Sequence, residues 1–325
     1  MTGPVTASGT EPGVMERLSL ASAKVPFRLK LALVWLAIAA ILGWLFLAAG
    51  FDVEWIRGKA EFVSKGIIWT VILAFGAITL ACIMALIGSL GRLSKNPILY
   101  GISGFYTSFF RGTPLIVQLF LIFLALPQIG IGLGNPKLTD FLTLSVFQAG
   151  IIGLGLNYGA YMTEIFRAGI QSVSHGQYEA AEALGMRYSL RMRRVILPQA
   201  IRVIIPPTGN EFIAMIKDTA LVSFLGVTID QAEVFRRAQL VGKADFKQLE
   251  ALLLAALIYW ALTGILTFFQ SRLERRLGRG YVRTATAQRK TRWFAVGGAG
   301  GEGGGAAMVE VPEPGGGPEI GSQGH

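Results

Sequence analysis

The chain reads as an all-α membrane protein with about six transmembrane helices. Three observations predict this. Of its 325 residues only 15% are charged while 52% are hydrophobic, against about a quarter charged in a soluble domain. Uncharged stretches long enough to cross a bilayer, about 20 residues, recur along it. The segments between those stretches alternate between basic and neutral, the asymmetry that sets orientation in a membrane.

Taken in order, residues 1–30 open on a run rich in Gly, Pro, Ser and Thr and predict a disordered cytoplasmic N-terminus. Residues 31–51 are uncharged between Lys30 and Asp52. This run exceeds a signal-peptide apolar core and no small-x-small cleavage site follows, so it predicts a retained helix. Further uncharged runs cover 66–91, 112–136, 141–163 and 251–271. A sixth span, 201–226, is interrupted by Glu211, Lys217 and Asp218 and is counted because it balances the topology. Residues 284–325, with 12 glycines from Gly297 onward, bury too little apolar surface to offset ordering entropy and predict a flexible cytoplasmic tail.

The charge between spans gives the orientation. Residues 1–30 carry four basic and two acidic side chains, 92–111 three and none, 164–202 six and three, and 272–292 eight and one. The alternate segments balance: three of each sign in 52–65, one of each in 137–140, four of each in 226–250. Basic segments stay cytoplasmic, which places both termini inside and the loop 171–200 on the cytoplasmic face. Topology thus accounts for the net charge of +10, and no stacking or base-reading motif calls for nucleic acid. The lone Cys82 excludes an internal disulfide, and His175 and His325 are too few for a histidine metal site. Gly298, Gly300 and Gly303 match G-x-G-x-x-G spacing without a preceding strand, a chance match in a glycine-rich tail. A phosphate-binding G-x-x-x-x-G-K-[ST] is absent from the sequence, so the chain is expected to bind no cofactor and hydrolyse no ATP itself.

One cytoplasmic loop stands out. Residues 179–184 are Ala, Glu and Leu, strong helix formers, and Gly185 suits the left-handed residue after a helix. A second helix then carries Arg187, Arg191, Arg193 and Arg194, and Pro198 ends or kinks it at the next span. The pattern alone is equally that of an amphipathic surface helix touching lipid headgroups. The particular residues go further: Glu179, Ala180, Ala181, Gly185, Ile196, Leu197 and Pro198 resemble the signature loop of permease subunits in bacterial ABC importers. Phe109 to Leu115 with Gln118, Gly155 to Tyr161, Glu164 to Ile170, Gly209 to Phe212, Lys217 to Thr219 and Leu221 to Ser223 resemble the segments around it in the polar amino-acid branch, which takes up histidine, glutamine, glutamate, arginine or cystine.

The resemblance implies a type I ABC importer permease architecture: a five-helix core over about 62–279, with 31–51 as an extra helix present in some relatives. It implies a coupling loop at 171–200 docked on a cytoplasmic ATPase dimer, a second permease subunit of the same or homologous sequence, an extracytoplasmic amino-acid-binding protein, and residence in a bacterial inner membrane. ATP is then hydrolysed by the partner, and the permease rocks between inward- and outward-facing states around a site near the bilayer midplane. Polar groups inside the membrane are costly and mark such a site or a structural pair. Asn157, Tyr161, Glu164, Asn210 and Glu211 are the candidates. Each has a structural alternative, a helix–helix hydrogen bond or, for Glu164, an i,i+3 ion pair with Arg167; Lys217 and Asp218 are expected to neutralise each other. A secondary transporter is the rival reading, sharing the spans but needing no docking loop; a membrane enzyme would require a nucleophile–base cluster the sequence does not display.

Overall fold

The computed structural model describes residues 26–277; the regions read as a disordered start and a flexible tail lie outside them, apart from residues 26–30. Helix α1 (Phe27–Ala48) begins inside that predicted disordered start, its first turn closed by the Leu29 N–H on the Pro26 carbonyl. After a turn at Gly50 comes α2 (Val53–Ser64), capped by the Asp52 carboxylate on the Trp55 N–H. The long α3 (Gly66–Leu93) follows, then α4 (Pro97–Gly112), α5 (Leu115–Phe120), a π-helical turn at Leu121–Ala125 and α6 (Leu126–Gly132). Then come α7 (Pro136–Leu142), α8 (Val146–Gln171), α9 (His175–Ala183) and α10 (Tyr188–Arg191). A second π turn, Met192–Ile196, leads into α11 (Leu197–Asp218); 3₁₀ turns, α12 (Val234–Ala244) and α13 (Gln248–Leu277) complete the described chain.

Four of these helical segments are long and apolar enough to cross a membrane: Phe27–Phe46, Gly66–Leu93, Leu115–Gly132 and Gln248–Leu277. A fifth arises if α7 and α8, which meet at a 70° bend, count as one span. The sixth expected span, α11, has 22 residues, or about 33 Å at 1.5 Å per residue, but Arg202, Glu211, Lys217 and Asp218 leave it short of the apolarity of the others. The segment 92–111, read as a basic loop, is mostly helix. Asn96 caps α4 through the Ile98 N–H and Pro97 occupies its first turn, where the missing proline N–H costs nothing. The chain breaks instead at Thr113–Pro114, within the run 112–136 read as one continuous span. Pro198 stands in the first turn of α11, after α10 has given way to a π turn. A wide π turn precedes it and carries the chain into α11 without the ring striking the preceding turn.

The packing is inverted relative to a water-soluble protein. On α3 the buried face is small, with Ala74, Ala77, Ala81 and Ala85 inaccessible, while Ile68, Phe75, Ile83 and Ile87 stand more than half exposed. Lipid removes the drive to bury large apolar groups, so helices associate where small residues allow backbones to approach. The α3–α8 contact, the largest in the fold, is of this kind: a Cβ on Gly159 would sit 2.8 Å from that of Met84, and one on Gly88 would strike Thr163. A main core around Leu73, Leu154, Met162 and Met215 joins α3, α5, α8 and α11. A second joins α2, α12 and the start of α13 around Val63, Val234 and Leu254. A third lies at the base of the loop 171–200, around Ile170, Val173, Ile196 and Ile204.

Candidate functional site

Two features carry the chemistry, a polar cavity and the protruding loop. The cavity arises where α4 breaks. Thr113 adopts an extended conformation and Pro114 starts α5, so carbonyls at the end of α4 lack helical partners. The buried Gln118 answers them: its Nε2 donates to the Phe110 carbonyl at 2.9 Å, the Thr113 carbonyl at 3.0 Å and Thr113 Oγ1 at 2.7 Å. Asn157 of α8 donates from Nδ2 to the same Phe110 carbonyl and to Gln118 Oε1, both at 3.0 Å. Two amides thus hold the broken helix against α8.

Beside this knot is a cavity of about 350 Å³ lined by Thr113, Pro114, Leu115, Asn157, Tyr158, Tyr161, Glu211 and Asp218, within the range of small-ligand sites. Glu211 and Asp218 lie seven residues apart on α11, two turns along one face, about 10 Å along the axis. The Tyr158 hydroxyl donates to Asp218 Oδ2 at 2.8 Å. Neither lysine nor arginine lines the cavity; the nearby Arg111 guanidinium stacks over Tyr161, 5.3 Å from its ring centre. The cavity therefore presents two carboxylates, two phenols and an amide, a surface suited to a cation with hydrogen-bond donors.

Of the residues singled out from sequence, Asn157, Tyr161 and Glu211 meet here. Glu164 does not: it accepts from Arg167 at 2.7 Å, with the Arg92 Nε 3.6 Å away, an ion-paired cluster joining the end of α3 to α8. Asn210 is exposed and turned about 100° from Glu211 on the helix, away from the cavity. The expected neutralisation of Lys217 by Asp218 is also absent. Adjacent helical residues do not face each other, Asp218 pairs with Tyr158 instead, and Lys217 is exposed. Sequence reasoning missed Tyr158 and Asp218 as lining residues, although the i,i+7 spacing of Glu211 and Asp218 already put both on one face.

The loop is a bent two-arm protrusion. Arm α9 rests on the third core through Tyr178, whose hydroxyl donates to the Ile170 carbonyl, and Ala181 on the same arm is 4% exposed. Ile196 is inaccessible in the same core, and Leu197 packs at its edge. Glu179, Ala180 and Pro198 are exposed, and Leu184 is 81% exposed at the tip. Gly185 has φ +72°. Its N–H bonds the Glu182 carbonyl and that of Met186 bonds Ala181, the pair of bonds that closes a helix through a left-handed residue. Arg191 Nη1 on the second arm meets Glu182 Oε2 at 2.9 Å and ties the arms together.

Residues 77–279 match the family described as binding-protein-dependent transport system inner membrane component. The chain is 38% identical over 262 residues to an arginine transport system permease protein of Corynebacterium glutamicum, covering 77% of this chain and 81% of that one. It is 40% identical to an L-cystine transport system permease protein of Bacillus subtilis, covering 72% and 95%. A crystal structure of an amino acid ABC transporter with histidines superposes at TM-score 0.61 and 37% identity over 70% of this chain and 99% of that one. The inward-facing methionine ABC transporter MetNI, at 17% identity and TM-score 0.53, shares the fold. With its lipid-exposed apolar helices, broken-helix cavity and protruding loop, the chain belongs to the family of binding-protein-dependent transport system inner membrane components, among the amino-acid ABC transporter permeases.

Proposed function

We propose that the chain carries a cationic amino acid across the inner membrane by alternating access, driven by a separate ATPase dimer that grips the loop 171–200. A second permease subunit completes the pathway, and an extracytoplasmic binding protein delivers the substrate. The observation that carries this reading is the split of the loop's residues between two faces. Tyr178 and Ile196 anchor it to the third core, while Glu179, Ala180 and Leu184 are left facing outward. A rigid element with an unpartnered tip transmits force between a partner and the spans it is rooted in. Substrate class follows from Glu211 and Asp218: one carboxylate suits the α-ammonium group that every amino acid has, and the second favours a cationic side chain. The ion pairs of Glu164 take it out of the proposed pathway, and Asn210 lies outside this subunit's cavity.

A single cysteine at the exposed Ser189, after Cys82→Ala, tests the docking directly. A membrane-impermeant thiol reagent is expected to label it only in inside-out vesicles, and bound ATPase to block the labelling. Reaction in intact spheroplasts contradicts the orientation; labelling unchanged by the ATPase contradicts the docking.

A further inference from the structure

The turn joining α12 to α13, like the loop at Gly185, passes through a left-handed residue just after a helix, but with a different residue in that position. Phe246 has φ +55°, and the Lys247 N–H bonds back to the Gly242 carbonyl. Among the described residues it is the one non-glycine at positive φ. Glycine takes this position without penalty, whereas a bulky side chain there is strained by about 1 kcal/mol or more. The ring itself is 94% exposed, so its own packing does not offset that strain. An aromatic ring held outward where glycine would sit without penalty points to a use for its exposure.

Its surroundings fix both its rigidity and its depth. Asp245, just before it, accepts from Trp55 Nε1 at 2.8 Å and from Lys59 Nζ at 2.8 Å, and these two groups hold its carboxyl below the usual range. Lys247, just after it, meets Asp52 Oδ2 at 3.3 Å and Glu250 Oε1 at 3.5 Å. The turn is thus pinned on both sides of Phe246. Asp52 is the first charge after the uncharged run 31–51, and Glu250 the last before the run 251–271; most of the first run and all of the second lie in helices apolar enough to span. Two independent markers therefore put the turn at the edge of the hydrocarbon layer. Phe246 lies in the turn four residues before Glu250 and two before α13 begins, close enough to that edge to reach the roughly 5–7 Å of headgroups on each side of a bilayer.

We propose that Phe246 is an interfacial anchor, its ring inserted among the lipid headgroups of the leaflet opposite the loop 171–200. The pinned turn holds the ring there, and through Trp55 and Lys59 the anchor fixes α2 at the membrane surface. Tryptophan and tyrosine are the aromatics enriched in this layer, and a phenylalanine ring offers the same flat apolar body to its acyl-chain side. The alternative occupant of an exposed aromatic on this end is the delivering binding protein, and the test separates the two.

Phe246→Trp keeps an aromatic ring at the site. The protein is reconstituted in phosphatidylcholine–phosphatidylglycerol vesicles containing lipids brominated either near the top or near the end of the acyl chains. Emission is read as the difference from wild type, which carries six tryptophans. The added signal is expected to be quenched about twofold more by the shallow bromines than by the deep ones, as for a ring at the interface, and to be unchanged by purified binding protein. An added signal quenched by neither lipid, or one that shifts only when the binding protein is added, overturns the proposal.

Discussion

Gly185→Val is expected to reach the membrane at the wild-type level and to lose most uptake. The position leaves open space: nothing lies within 4 Å of a Cβ built there, so the penalty is conformational and not steric against a neighbour. At φ +72° a side chain costs about 1–2 kcal/mol, and β-branching adds to it. The spans do not depend on this turn, so insertion and fold survive. The penalty instead straightens the bend between α9 and the second arm, and with it the angle at which Glu179 and Leu184 are offered. A bias of about 1.4 kcal/mol is a tenfold shift between loop geometries, so uptake and ATPase stimulation are expected to fall together by about tenfold. Gly185→Asn, which tolerates the left-handed region, is expected to retain more activity than Gly185→Ala, and Ala more than Val. Loss of membrane protein in place of loss of uptake, or an order that follows side-chain volume and not φ tolerance, contradicts this account of the loop.

Neutralising the cavity carboxylates is expected to change what is carried. Glu211→Gln and Asp218→Asn keep size and leave an oxygen to accept a hydrogen bond, including that of Tyr158 at position 218. They remove the negative charge a cationic substrate would meet. Truncating one side of a buried charge pair costs about 2–5 kcal/mol, so apparent affinity for arginine or lysine is expected to fall about 30-fold or more. Neutral polar amino acids, which meet only one of the two carboxylates through a charge, are expected to lose less at one position than at the other. Competition of uptake by arginine, lysine, glutamine and cystine for each variant measures this. Equal loss for all four substrates means the carboxylates hold the fold and not the ligand, and the substrate class then stands unsupported.

The parts of this architecture readable in the amino-acid order are those that a single physical signal dictates. Uncharged runs mark α1, α3, α8 and α13, because lipid excludes charge from any helix it surrounds. The bend at Gly185 is readable because a run of helix formers stops at a residue that alone takes positive φ freely. Where two signals compete, the reading fails. Arg92, Lys95 and Arg111 made 92–111 look like a loop, yet Asn96 and Pro97 start a helix there, and the true break falls at Thr113–Pro114. In α11 the polar residues that make the cavity are the same ones that hide the helix from a hydropathy reading. Asn210 and Glu211 are neighbours in sequence but face different ways, so only the helix phase separates the lining residue from the exposed one. Tertiary partners such as Asn157 with Gln118, or Lys247 with Asp52, have no sequence signature because they join segments far apart in the chain.

The most direct measurement is uptake of labelled arginine into proteoliposomes containing this chain with its second permease subunit and ATPase and with the binding protein added, supplied with ATP inside or outside and with or without an ion gradient. The account predicts accumulation that requires ATP on the face exposing the loop 171–200, is independent of any sodium or proton gradient, and disappears when the ATPase is left out. Accumulation driven by an ion gradient in the absence of ATP and ATPase would contradict it and assign the chain to secondary transport.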